Sequence, residues 1–272
     1  MGFYQNKTAF VTGGSTGIGL AVAQALAKAG CHVAIFARTV SKLETAATEI
    51  KAVSPAALRI NAYSVDTSDN KEVDRIFEAA VQEMGVPDIL INCVGVAQPD
   101  YFENITFEIF DKTIKTNLYS TWNVVYKMVP HMKQKGGIIV NTSSIAGFLG
   151  VFGYADYCMT KFGIIGFSEA LRSELKRYGL KVQVLCPPDT DTPGFEAENK
   201  NKPAETKAIG GKAKLLQPSF IADSLLKDMQ KNTFLILPGF DGKLTRFMKR
   251  FFPWVIDRIM HSSIQKVQNE KA

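Results

Sequence analysis

The sequence predicts an α/β protein built on a doubly wound parallel sheet of about seven strands, with helices on both faces. Three observations carry that expectation. Apolar runs of five to eight residues alternate with longer amphipathic stretches along most of the chain. Glycines crowd behind the first of these runs, in Thr12-Gly-Gly-Ser-Thr-Gly-Ile-Gly19. No solenoid-length repeat or low-complexity tract interrupts the alternation. The 272 residues, 46% hydrophobic and 21% charged, suffice for one large core. The expected organisation is one catalytic domain over residues 1–240 and a basic amphipathic tail over 241–272.

The elements follow in order. Lys7 to Thr12 reads as a buried strand, and Gly17 to Ala29 as an alanine-rich helix stopped by Gly30. Strand two is His32 to Ala37, followed by a helix from Ser41 to Val53. Leu58 to Val65 is strand three, Asn70 to Met84 a helix, and Asp88 to Asn92 strand four. A longer helical stretch from Phe107 to Lys135 breaks near Thr116-Asn117. Gly137 to Thr142 is strand five, Tyr154 to Tyr178 a long helix, and Lys181 to Leu185 strand six. Residues 187–217 contain four prolines and many lysines without apolar periodicity, so they read as a long lid loop. A helix from Pro218 to Gln230 and a short strand at Thr233 to Leu237 close the sheet.

Composition narrows the function. The net charge of +6 lies mostly at the C-terminal end, and no basic run is interleaved with base-stacking aromatics, so no nucleic-acid partner is expected. Cys31, Cys93, Cys158 and Cys186 form no C-x-x-C pair and read as small buried thiols in a reducing, cytoplasmic setting. His32, His131 and His261 share no constellation, so neither a metal nor a histidine base is expected. The N-terminal residues run straight into the first strand, which leaves no room for a signal peptide. No stretch reaches the roughly 20 apolar residues of a membrane span.

The glycine loop suits a pyrophosphate. Gly13, Gly17 and Gly19, with Ser15, Thr16 and Ile18 between them, allow backbone N–H groups and a helix N-terminus to approach the phosphates. Strand two ends in Phe36-Ala37-Arg38 without an acid to hold ribose hydroxyls. Arg38 and Lys42 suit a 2′-phosphate, so NADP(H) is the expected cofactor rather than NAD(H). Asp66 is placed for the adenine amino group, and Asn92 and Gly95 end strand four where backbone passes close to the adenosine ribose.

Tyr157 and Lys161 stand four residues apart on one helical face. Reducing a ketone requires a proton for the developing alkoxide. A tyrosine with a pKa of about 10 needs help in reversible transfer at neutral pH. A neighbouring ammonium and a cationic nicotinamide ring favour the phenolate, so a lowered Tyr157 pKa is expected. Lys161 can also hold the nicotinamide ribose, Ser144 can polarise the substrate carbonyl, and Asn117 in the helix break can hold a water linking Lys161 to solvent.

These residues resemble the short-chain dehydrogenase/reductase family over about residues 5–240. The resemblance implies a Rossmann-type fold and a catalytic tetrad of Asn117, Ser144, Tyr157 and Lys161. Two departures stand out: Asn-Cys-Val-Gly at 92–95 replaces Asn-Asn-Ala-Gly, and Pro188 stands where the family has glycine. The run Pro187-Pro-Asp-Thr-Asp-Thr-Pro-Gly-Phe195 with the following Glu-Ala-Glu-Asn-Lys, and Phe148-Leu-Gly-Val-Phe-Gly153, is similar to the branch that reduces the 3-keto group of long-chain sphingoid bases with NADPH. Thr192 would then contact the nicotinamide carboxamide, and a homo-oligomer, dimer or tetramer, is implied.

Val96, Phe102, Phe148, Leu149, Val151, Phe152 and Phe195 flank the catalytic elements, and apolar lining fits a long-chain, hydrophobic keto substrate. Steroids, retinoids, 3-oxoacyl groups, and a nucleotide-binding scaffold without turnover remain as alternatives. In the tail, Leu244, Met248, Phe251, Phe252, Val255 and Ile259 face one way, while Lys243, Arg246, Lys249, Arg250 and Asp257 crowd the other, with Pro253 as an interruption. Such a stripe suits either peripheral contact with the cytosolic face of a membrane or packing against protein.

Overall fold

The computed structural model describes residues 2–211 and 215–271. Seven parallel strands form one sheet in the order β3-β2-β1-β4-β5-β6-β7. They are β1 (Thr8–Thr12), β2 (His32–Ala37), β3 (Ile60–Ser64), β4 (Ile89–Asn92), β5 (Gly137–Thr142), β6 (Leu180–Leu185) and β7 (Leu235–Ile236). The order reverses between β1 and β4. Chains leave the sheet in opposite directions there, opening a crevice beyond the strand ends.

Alternation along buried strands assigns the helices to two layers. Ala9 and Val11, Val33 and Ile35, Ile89 and Ile91 face one core, shared with α1 (Gly17–Lys28), α2 (Val40–Val53) and α9 (Pro218–Met229). Phe10, Ala34, Phe36 and Leu90 face the other, built with α3 (Asn70–Met84), α5 (Ser120–Met132) and α6 (Ala155–Leu175). There Phe36 stacks on Phe77 at 4.2 Å, and each such fully buried ring contributes about 1.5–3 kcal/mol. Side-chain caps fix the starts of α3 and α4. The Asp69 carboxylate accepts from the N–H groups of Lys71 and Glu72 ahead of α3, and Thr106 caps α4 (Phe107–Ile114).

Between α4 and α5 the chain makes one wide π turn, Lys115–Tyr119, at the expected break. The expected lid loop over 187–217 needs correction. Residues 212–214 lie outside those described, but the rest holds two short helices, α7 (Pro193–Asn199) and α8 (Ala204–Gly210). Pro193 supplies the first turn of α7 behind the Thr192 cap, and Pro203 precedes α8, so these prolines start helices rather than break them.

The tail is α10 (Gly239–Phe251) and α11 (Pro253–Lys271), divided at Pro253 as its ring requires; Ala272 lies outside the described residues. The continuous stripe read from the sequence is therefore split. Met248 and Val255 are half-buried, whereas Phe240, Phe247 and Trp254 join Leu244, Phe251, Phe252 and Ile259 as exposed apolar side chains. Gly242 sits against Ile145, Arg246 lies over the Phe148 ring, and α11 packs along α8. Among the described residues no helix is long and apolar enough to cross a membrane.

Candidate active site

A cavity of about 1090 Å³ opens over the carboxyl ends of β1, β4 and β5. That exceeds the roughly 300–1,000 Å³ usual for one small ligand, so it has room for two molecules side by side. One arm is walled by Gly13, Ser15, Thr16, Gly17, Ile18 and Gly19, by Arg38 and Lys42, and by Asp66. The glycines there are required by contact. A Cβ on Gly19 would collide with the Gly13 carbonyl oxygen, so the loop closes tightly onto the start of α1. Arg38 and Lys42 are exposed at the rim, and neither makes an ion pair with a described residue. Asp66 Oδ1 accepts from the Ser68 N–H at 2.9 Å and its hydroxyl at 2.7 Å, which fixes the carboxyl at the wall.

Asn92 does not reach this wall. Its side-chain amide donates to Asn141 Oδ1 at 2.9 Å, and its oxygen accepts from the Thr12 hydroxyl at 3.4 Å. Fully buried, it ties the ends of β1, β4 and β5 together and acts at one remove. Cys93 takes up the space above it, its sulfur 3.4 Å from the Thr142 hydroxyl, and burial pushes its thiol up to about 11.

The other arm gathers Ser144, Tyr157 and Lys161. Lys161 projects from the second turn of α6 and donates to the Thr142 carbonyl at 3.0 Å. Gly95 leaves space for it, since a Cβ there would stand 3.1 Å from Lys161 Nζ. Tyr157 lies one turn earlier, its ring centre 5.4 Å from that ammonium. Ser144 lies two residues past β5, where it caps a short 3-10 turn and accepts from the Ala146 N–H at 3.1 Å, which orients its hydroxyl group. Asn117, in the π turn, is fully buried. Its oxygen accepts from the Val96 N–H at 2.8 Å, and its amide donates to the Val96 carbonyl and to the Thr160 hydroxyl, both at 3.0 Å. It therefore anchors the chain after β4 beside Lys161.

Electrostatics correct one expectation. Burial lowers the Lys161 ammonium to about 8. Tyr157, expected to be lowered, is instead raised, chiefly by removal from water and next by the Glu198 carboxylate, while the Ser144 hydroxyl pulls it down. The protein alone thus keeps the phenol protonated, as a proton donor must be.

Thr192 caps α7 by accepting from the Phe195 N–H at 3.1 Å, and its methyl group abuts Gly17. Both arms of the cavity therefore meet at Thr192. Leu149, Val151 and Phe195 line the substrate side, joined by Phe220, Phe240 and Thr245. Phe102 instead stands exposed outside the cavity. Sequence reasoning missed Thr160, which carries no motif of its own. It also missed the wall formed by Tyr154, Glu198 and Lys202, whose signal was the polar run after Phe195.

A glycine loop at the first strand end, with serine, tyrosine and lysine converging on one cavity, defines a nucleotide-dependent oxidoreductase. Residues 7–203 match the family described as short chain dehydrogenase, and the chain belongs to that family. It is 36% identical over 236 residues to the 3-dehydrosphinganine reductase of Danio rerio, covering 85% of this chain and 71% of that protein. It is likewise 36% identical over 257 residues to the 3-ketodihydrosphingosine reductase of Dictyostelium discoideum, covering 88% and 77%. A crystal structure of an actinorhodin polyketide ketoreductase with NADPH is similar at a TM-score of 0.76 and 26% identity, covering 87% of this chain and 96% of that one.

Proposed function

We propose that this protein uses NADPH to reduce the 3-keto group of 3-ketodihydrosphingosine to dihydrosphingosine, a step of sphingolipid biosynthesis. The observation that carries the reading is the convergence of Ser144, Tyr157 and Lys161 where the glycine-loop arm meets an apolar one. The names of both relatives supply the substrate class. The cofactor fits the residues present, because Arg38 and Lys42 are rim cations that form no ion pair among the described residues, and the glycine loop exposes backbone to a pyrophosphate.

NADPH, when bound, supplies the hydride to the carbonyl carbon. Ser144 donates a hydrogen bond to the carbonyl oxygen, and Tyr157 delivers its phenolic proton to that oxygen as negative charge develops. Lys161 would hold the nicotinamide ribose, and its ammonium would stabilise the phenolate left behind. Asn117 fixes the chain at Val96, and the Thr142 carbonyl holds the Lys161 ammonium. Thr192 would meet the nicotinamide carboxamide at the junction of the two arms.

Two surfaces extend the proposal. The exposed aromatics of α10 and α11, flanked by Lys243, Lys249, Arg250 and Arg258, suit an anionic membrane face on the cytosolic side, from which a water-insoluble substrate enters. Tyr119, Trp122, Tyr126, Met159 and Phe162, exposed along α5 and α6, suit a second copy of the chain. NADPH oxidation with 3-ketodihydrosphingosine, a steroid ketone and a 3-oxoacyl thioester tests the main reading. Preference for the first supports it, and preference for either of the others overturns it.

A further inference from the structure

We propose that Glu198 recognises the ammonium group beside the ketone of the substrate, which makes it a specificity-determining residue of this site. The inference rests on the sphingoid-base reading above. Glu198 projects from α7 into the cavity wall, where its Oε1 receives the Lys202 ammonium at 3.0 Å and the Tyr154 hydroxyl. The Tyr154 ring lies 5.7 Å from the Tyr157 ring, so the carboxylate stands one side chain away from the proton donor. The Phe195 ring faces the same Lys202 ammonium at 4.5 Å, and the Tyr154 ring at 5.8 Å. A carboxylate and two aromatic faces together form a receptor for a primary ammonium, occupied by the chain's own lysine.

Such a pair is costly to enclose, and the Lys202 side chain is only 7% exposed. A wall meant solely for an alkyl chain would do better with apolar residues. The substrate accounts for the expense, because its amine is carried on the carbon next to the ketone. Steroid ketones and 3-oxoacyl thioesters carry no cation there. The Glu198 charge also reaches Tyr157, whose pKa it raises, so a cation neutralising that charge acts directly on the proton donor. Lys202 holds the carboxylate in position, and the substrate ammonium joins or displaces it.

The test compares kcat/KM at saturating NADPH for 3-ketodihydrosphingosine and for its N-acetylated form, which keeps the ketone and chain but loses the charge. Glu198→Gln is expected to lower the value for the free amine by about 10- to 100-fold more than for the N-acetylated form, the change common to both substrates reporting the loss of the Glu198 charge near Tyr157. Glu198→Asp restores part of the loss. In the unaltered protein, the free-amine preference should fall as rising pH neutralises the amine. Taking the ratio of the two substrates cancels the titration of Tyr157 and Lys161, which both share. Asp189 is a second carboxylate on the cavity wall, so equal losses on both substrates, selective loss only in Asp189→Asn, or a ratio flat with pH overturns the inference. Absence of turnover on either sphingoid substrate, with turnover of a steroid or thioester, overturns the underlying reading instead.

Discussion

The floor and the roof of the cavity are built differently. On the floor, Asn92, Asn117, Lys161 and Asn141 are buried, and each has protein partners within hydrogen-bond distance. These residues hang from strand ends, from α6 and from the π turn between α4 and α5. The roof is α7, α8 and α10, short or peripheral helices with few buried residues, α10 with exposed aromatic side chains. Reaction geometry tolerates little displacement, so it sits on the rigid side. Choice of substrate sits on elements that can change, or move, without disturbing the sheet.

If that division holds, damage to the floor should abolish turnover of every ketone, whereas damage to the roof should act on particular substrates. The largest effect belongs to Tyr157→Phe. Turnover should fall by about 10²- to 10⁴-fold with NADPH binding nearly intact, as read by steady-state kinetics and cofactor fluorescence. Retention of a large share of activity would remove the tyrosine from proton transfer. Next comes the double variant Arg38→Ala/Lys42→Ala, which removes two charge-assisted contacts of about 1.5–3 kcal/mol each. KM for NADPH should rise steeply while KM for NADH stays put, and equal use of both cofactors by the unaltered protein would refute the assignment. Asn117→Ala leaves the Val96 N–H and carbonyl without their partner, so the melting free energy should drop by about 1–3 kcal/mol along with kcat.

The pH profile sharpens the contrast further. Lys161 is lowered to about 8 by burial, so it is charged below that pH and loses its charge above it. Reductive kcat/KM, which reports the free enzyme, should therefore decline as pH rises through about 8. Stability runs the other way. The unfolded chain keeps this proton up to about 10.4, so between those values the lysine's own contribution favours the fold more as pH rises. Cys93 and Cys186, the neighbours that act on it, are held near 11 and 12 and stay protonated through most of that window. The smallest effect is expected from the roof's outer edge. Truncation after Gly239 should raise KM for vesicle-borne substrate and release the protein from anionic vesicles in a salt-sensitive way, while a short soluble ketone is spared. Loss of a dimer without any vesicle binding by the full chain would assign the tail to protein packing.

The floor was the legible half. Strand ends carry motifs because backbone approach and proton transfer need particular residues at particular turns, and Gly19, Gly95, Tyr157 and Lys161, read from their spacing, all line the cavity. Asn92 shows the limit of that reading, since a residue beside a ligand wall need not face it, and its amide was taken up by Asn141. The roof was obscure for another reason. Two of its helices, α7 and α8, are seven residues each, shorter than two full turns of apolar periodicity, so Pro193 and Pro203 looked like loop residues. Glu198, Lys202 and Tyr154 meet only through the packing of α7 over the start of α6, which no local pattern encodes.

The wide turn at Lys115–Tyr119 separates what the fold needs from what the chemistry needs. A π turn is one residue spliced into a helix, absorbed locally so that the flanking turns keep their faces. Val124, Val125 and Met128 on α5 remain aimed at the core whether or not that residue is present. Deleting one residue within 115–119 should therefore yield a straight helix and a folded, cofactor-binding protein. What it would lose is the angle at which Asn117 grips Val96. The chain carries a single surplus residue that serves the site through the grip of Asn117 on Val96, so a change in helix register of one residue is felt at the chemistry while the flanking helix keeps its core face.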